Sequence, residues 1–204
     1  TGSHDIFYGD VCIPESMIDF FTFEPDIKTI LIHCAGIVSI SSSYVQKVYD
    51  VNVTGTQNVL DLALHCNINQ FLYVSSVHAI PEGPKGSVIK EIDTFNPDQV
   101  LGHYAKTKAA FSALVLAAST PDFHVNIVHP SGICGPYDFG KGHITSLVKD
   151  YYAGRLRVGM QGGYDFVDVR DVAQGIISCI DNGPSGECYI LSNQYFSIKE
   201  VLQM

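Results

Sequence analysis

Three short runs of β-branched and aliphatic residues recur along the chain: Thr29-Ile-Leu-Ile-His33, Phe71-Leu-Tyr-Val74 and Val125-Asn-Ile-Val128. Segments of helical length separate them. That alternation constrains the fold more than any other feature. Antiparallel strands can be joined by a tight turn, whereas parallel strands need a crossover of a dozen or more residues, usually a helix. The chain is therefore expected to be α/β, with a doubly wound parallel sheet. The unbroken apolar character of Thr29–His33 predicts a strand buried on both faces.

The remaining elements fit this frame. Ile6-Phe-Tyr8 reads as a short strand ending at Gly9-Asp10, before a helix from Pro14 to Phe23 with proline at its first position. Helical character returns from Tyr44 to Cys66. A Pro- and Gly-rich loop, Pro81 to Pro97, leads into an Ala-rich helix that reaches Ser119 and is stopped by Thr120-Pro121. A helix from Ile144 to Tyr152, a Gly-rich turn at Gly159 to Gly163 and a short strand at Phe166-Val167 follow. Asp168 reads as the N-cap of a helix from Val169 to Ile180, with Asp171 near its positive end. Glu187–Leu191 reads as the last strand, and Ser197-Ile-Lys-Glu200 as the capping box of a final helix. Residues 1–136 then form a core, and residues 137–204 a small C-terminal lobe interleaved with the last core elements at 167–191.

Composition narrows the partners. With 46% hydrophobic and 16% charged residues the 204-residue chain is globular, and its net charge of −9 argues against a nucleic-acid partner. The longest apolar run, Ala109 to Ala118, is broken by Ser112 and is too short to span a bilayer, so no membrane partner is expected. Six cysteines without paired spacing fit reduced thiols in a cytoplasmic protein. His33-Cys34 is not a metal pair, because neighbours on a strand point to opposite faces. No metal site is expected.

In an open parallel sheet, ligands bind outside the carboxyl ends of the strands. Here those ends carry Cys34-Ala-Gly36, Ser75-Ser76 and His129-Pro-Ser-Gly132. Beside them the Ala-rich helix holds Tyr104 and Lys108, four residues apart and so on one helix face. A cation near a phenol favours the phenolate, which reads as a general acid/base pair. Tyr195 and Lys199 share the spacing, but the capping box at Ser197 leaves Tyr195 outside its helix.

These segments resemble, in order, the extended short-chain dehydrogenase/reductases, the Rossmann-type NAD-dependent epimerase/dehydratase superfamily that includes hydroxysteroid dehydrogenases and dihydroflavonol reductases. The matching stretches are Gly9-Asp-Val11, His33-Cys-Ala-Gly36, Asn52-Val-Thr-Gly-Thr56, Val74-Ser-Ser76, Tyr104 to Lys108, His129-Pro130 to Gly135-Pro136, and Phe166 to Val172. The resemblance implies that Tyr104 exchanges a proton with the substrate oxygen. Lys108 would hold the nicotinamide ribose and lower the pKa of Tyr104. Ser76 would donate a hydrogen bond to the same substrate oxygen. Cys34, Ala35, Gly36, Val74, Ser75, Pro130 and Ser131 would line the NAD or NADP site, with Asn52 ordering backbone or water beside it. His78 and His103 lie next to that site and are expected to be packed or solvated.

The same resemblance implies an oxidoreductase that interconverts a secondary alcohol and a ketone, possible homodimer formation by helix pairing, and a small-molecule substrate. A nucleotide-sugar epimerase or dehydratase is the alternative, and a non-catalytic dinucleotide-sensing regulator a third reading. Ile80-Pro81 stands where the nucleotide-sugar enzymes carry Tyr-Gly, which tilts the expectation toward an apolar substrate. The family's Gly-rich loop and the acidic or basic residue that selects NAD or NADP find no match in the 204 residues. The expectation is thus a sheet entered at its third strand, Ile6–Tyr8, with the first two strands and their loop upstream.

Overall fold

The computed structural model describes residues 5–24, 27–41, 43–84, 86–140, 142–155 and 162–203. Among these residues seven strands run in order: β1 (Ile30–His33), β2 (Gln70–Val74), β3 (His124–Pro130), β4 (Gly132–Cys134), β5 (Gly163–Asp168), β6 (Cys188–Leu191) and β7 (Gln194–Ser197). Among the described residues β1, β2, β3 and β6 form one sheet in that order, every pair parallel. His33 pairs with Tyr73, and Tyr73 with Ile127, so the three strand ends stand side by side. β4, β5 and β7 form a second sheet.

Residues of β2 and β3 alternate between two packed faces, as the two-residue strand period requires. Phe71, Tyr73, Val125 and Ile127 face one apolar cluster with Val59, Leu60, Ala63, Phe111 and Val115. Leu72 and Val128 face the other, with Cys179, Ile176 and Ile180. The first cluster is supplied by α2 (Thr56–His65) and α3 (His103–Ala117), the second by α5 (Val169–Asn182). These strands are buried on both sides.

The helix preceding α2 is not continuous. α1 (Gln46–Tyr49) passes through a π-helical stretch, Asp50–Gly55, before α2 begins. Such stretches gather at functional sites, and this one carries Asn52. α3 starts after Gly102, whose φ of +93° is open to glycine and unfavourable for other residues. α4 (His143–Tyr152) and α6 (Ile198–Gln203) complete the helices. Asp168 caps α5 by accepting from the Arg170 amide at 2.8 Å, and Ser197 and Glu200 exchange hydrogen bonds as a capping box.

Several expectations are corrected. Ile6–Tyr8 is not a strand: it has no ladder partner among the described residues, with Ile6 77% and Tyr8 91% exposed. A strand is held by its neighbour's hydrogen bonds, and among the described residues none lies beside this segment. β1 is buried on one face only, since Leu31 and His33 point inward while Ile30 and Ile32 stay exposed. The Pro14 segment is a 3-10 helix, Pro14–Phe21, rather than an α-helix. The Phe166-Val167 strand extends from Gly163 to Asp168, and β4 and β7 were unforeseen. Most of the Gly-rich turn at 159–163 lies outside the described residues. No helix among them is long and apolar enough to cross a membrane.

Candidate active site at the strand ends

The site is built where β1, β2 and β3 end beside the first turns of α3. Gly102 turns the chain into α3, which places Tyr104 and Lys108 one helical turn apart. Both are buried. Lys108 Nζ donates to the Val74 carbonyl at 2.9 Å and lies 4.8 Å from the centre of the Tyr73 ring. The carbonyl and the π face partly replace lost hydration. Burial still pushes the ammonium pKa down to about 8.

Ser76 follows β2 and caps the 3-10 turn Val77–Ala79, its Oγ accepting from the His78 amide at 3.3 Å. Burial raises the Tyr104 pKa, and the Ser76 hydroxyl beside the phenol draws it back down. The Lys108 ammonium faces Val74 and Tyr73, and its field is felt at His33, Cys34 and His129.

Asn52, buried in the π-helical stretch, fastens the loop after β1. Its Oδ1 accepts from Ile37 N at 2.7 Å, while its Nδ2 donates to Ile37 O at 2.9 Å and to Thr107 Oγ1 at 3.3 Å. Thr107 Oγ1 in turn donates to Tyr104 O at 2.7 Å. One asparagine thereby ties the β1 loop to the turn of α3 that carries the tyrosine. Gly36 lies close to the lysine: a Cβ there would stand 3.5 Å from Lys108 Nζ and 3.4 Å from Asn52 Oδ1. Cys34 and Ala35 are exposed at the same strand end.

Ser75 departs from expectation. Its hydroxyl pairs with Ser112 Oγ at 2.9 Å in the interior, so it braces α3 against β2 instead of presenting a polar atom to a cleft. Ser131 Oγ is buried with no hydrogen-bond partner among the described residues, and Pro130 ends β3 just before it. His78 stands edge-on to Tyr104 at 6.1 Å and to Tyr164 of β5 at 6.2 Å. His103 packs on Tyr44 at 4.6 Å. Tyr195 is 60% exposed on β7.

The fold has known counterparts. A model of the NAD dependent epimerase/dehydratase family matches residues 2–192. The chain belongs to that family. Among its relatives, sterol demethylase protein B of Methylococcus capsulatus is 32% identical over 85% of this chain and 52% of its own length. A dTDP-D-glucose 4,6-dehydratase of Bos taurus is 27% identical over 92% of this chain and 53% of its own. The chain thus spans about half the length of these relatives. The crystal structure of gox2253 superposes with a TM-score of 0.80 at 26% identity, covering 96% of this chain and 58% of that one. RMD from Pseudomonas aeruginosa, complexed with NADPH, shares the fold with a TM-score of 0.73 at 23% identity, covering 96% of this chain and 71% of that one.

The residues present fit the nicotinamide half of the dinucleotide named by the family. A buried ammonium with one described acceptor keeps donors for ribose hydroxyls. The Ser131 hydroxyl, buried without a partner, is an unused polar group at the next strand end. For the pyrophosphate, the 204 residues hold no G-x-G-x-x-G run.

Sequence reasoning missed Tyr73, Thr107, Ser112 and His129 as parts of this site. Each acts through a partner more than one element away, or on backbone atoms, and neither leaves a motif. A buried-strand reading of Phe71–Val74 could have flagged Tyr73, because a phenol inside an apolar strand is unusual.

Proposed function

We propose that this chain carries the catalytic and nicotinamide-binding elements of an NAD(P)-dependent oxidoreductase that interconverts a secondary alcohol and a ketone. The observation that carries the reading is the junction of Ser76, Tyr104 and Lys108 beside adjacent parallel strand ends, where a serine hydroxyl offsets the effect of burial on the phenol. The bound nicotinamide supplies or accepts the hydride. Tyr104 gives a proton to the carbonyl oxygen in reduction and takes it from the alcohol in oxidation. Ser76 donates to that oxygen as charge develops on it. Lys108 and Ser131 hold the ribose and nicotinamide side, while Asn52 keeps the loop of Cys34, Ala35 and Gly36 in place. Ser75 contributes by bracing α3, and Val74 through its carbonyl.

The three-stranded sheet and α4 form the substrate-facing lobe in this reading, since Tyr164 of β5 reaches His78 beside the phenol. His78, Tyr104 and Tyr164 present ring edges and faces, which suit an apolar ketone. The nucleotide-sugar alternative draws on the dehydratase relatives, which match a larger share of the chain than the sterol enzyme does. A screen of dinucleotide absorbance with ketosteroid, flavonoid and sugar-nucleotide substrates separates the two. Turnover on ketosteroid or flavonoid, abolished in Tyr104→Phe, supports the reading. Turnover on sugar nucleotides alone would replace it, and no turnover with any class, together with no dinucleotide binding, would favour a non-enzymatic role.

A further inference from the structure

His129 sits fully buried near the end of β3 and has no part in the reaction as described so far. Its Nδ1 lies 3.0 Å from the Ser76 carbonyl oxygen. A carbonyl can only accept, so Nδ1 carries the proton. The ring face stacks on Phe95 at 5.2 Å with the planes 29° apart. Its backbone is held in the ladder opposite Ile190 of β6. Nε2 is left bare, buried and without a partner among the described residues. The burial of such an acceptor is unfavourable, so the packing that keeps this ring in place is defined by the Nδ1 bond and the Phe95 face.

We propose that His129 is the positioning residue that sets Ser76 against Tyr104, by tying the Ser76 carbonyl to the neighbouring strand. The Ser76 carbonyl receives two donors, His129 Nδ1 and Ala79 N at 3.0 Å. The second bond closes the 3-10 turn, and the first fixes where that turn sits relative to the sheet. Ser76 leaves the strand in an extended conformation (φ −163°, ψ 153°), so its carbonyl and Oγ positions are coupled through one rigid residue. Releasing the carbonyl swings the hydroxyl away from the phenol. The inference rests on the reading of Ser76 and Tyr104 as the proton-handling pair.

The titratable groups around this arrangement are Lys108 and Tyr104 from α3, Tyr73 from β2, His78 from the 3-10 turn, and Glu91 from the loop before α3. Burial holds the His129 imidazole near a pKa of about 4, so it stays neutral at working pH and does not itself exchange the proton. It acts through Ser76.

The test reads Tyr104 directly in protein carrying carbon-13 at tyrosine Cζ, its resonance assigned by its loss in Tyr104→Phe. Followed from neutral pH upward, the resonance reports the Ser76 hydroxyl beside the phenol by its position and ionisation by its titration. Ser76→Ala is expected to displace both. His129→Leu, which removes the donor, is expected to displace them in the same direction and by a similar amount. His129→Asn, which keeps an N–H near the same place, should stay at the wild-type position. Combining Ser76→Ala with His129→Leu should move the signal no further than Ser76→Ala alone. With a verified substrate, His129→Leu should lower kcat about tenfold, the scale of one lost hydrogen bond, with KM for the dinucleotide unchanged.

A wild-type Tyr104 signal in His129→Leu, or shifts that simply add in the double variant, would overturn the proposal. His129→Met fills more of the ring's volume and replaces the leucine variant should that one fail to fold. Since the titration needs no substrate, absence of turnover would count against the oxidoreductase reading while His129 is still judged by the resonance.

Discussion

The inner strands and the outer strand β1 of the β1-β2-β3-β6 row use the same kinds of residue and treat them in opposite ways. Around β2 and β3, Phe71, Leu72, Val125, Ile127 and Val128 are fully buried, packed by α2 and α3 on one face and α5 on the other. At β1, Ile30 and Ile32 stay exposed, and so do Ile27, Val38 and Ile40 around it. The difference lies in the neighbours, because a β-branched strand residue is buried only when something covers its face. Lys108, Ser75 and His129 are buried near the inner strands and each finds a specific partner, while His33 on the covered face of β1 is buried against Thr56, so the chemistry gathers where packing can hold it.

The comparison is most sharply tested at the site itself. Tyr104→Phe is expected to leave folding intact and lower turnover by about 10²-fold or more, the scale of a lost acid/base group. Tyr195→Phe, the same change on an exposed β7 residue, should leave the rate within experimental error. A dinucleotide-linked rate for both variants decides whether the buried position or the Tyr-x-x-x-Lys spacing matters.

Lys108→Met should separate function from stability. Dinucleotide affinity, read by fluorescence titration, is expected to fall tenfold or more. Stability at neutral pH should hold or rise. The folded pKa of Lys108, about 8, lies below its ordinary value of 10.5. Its contribution is therefore present above pH 10.5 and is lost as pH falls through 8, where the buried amine must charge. The difference corresponds to roughly 3 kcal/mol, part of which the loss of the Val74 hydrogen bond offsets. Urea midpoints at neutral pH and at high pH should show the advantage of the methionine variant shrinking as pH rises.

The buried imidazoles predict an acid limb of similar size. His33, bonded to Thr56 Oγ1 at 2.9 Å, and His129 both have pKa values pushed down to about 4 by burial. Both values lie below the usual 6.5, so the unfolded chain takes up protons first. Stability present above pH 6.5 is lost as pH falls toward 4, by roughly 3 kcal/mol for each histidine. Denaturant midpoints across that window should fall steadily. A flat profile would mean that these rings are solvated.

The smallest effects belong to the exposed face of β1. Leu31→Ala removes a buried side chain and should destabilise by about 2–5 kcal/mol. Ile32→Thr, one residue on, keeps β-branching on the exposed face and should change stability by no more than about 0.5 kcal/mol in the 204-residue chain. A large loss from Ile32→Thr would show that this face is covered in solution.

The sequence by itself determined the class of fold and most of the elements. Short apolar runs between helical segments dictate parallel strands, and Asp168 and Ser197 mark helix starts through their own local chemistry. The Tyr104–Lys108 spacing was legible because i and i+4 share a helix face whatever lies around them. Tertiary structure decided the rest. Lys108 meets Val74 across 34 residues, Ser75 meets Ser112 across 37 and His129 meets Ser76 across 53. No local pattern encodes such pairings, because a hydrogen-bonding side chain takes whichever complementary group the packing brings within reach. The strand at Ile6–Tyr8 failed for the same reason: its residues favour extension, but a strand exists only with a neighbour to bond it.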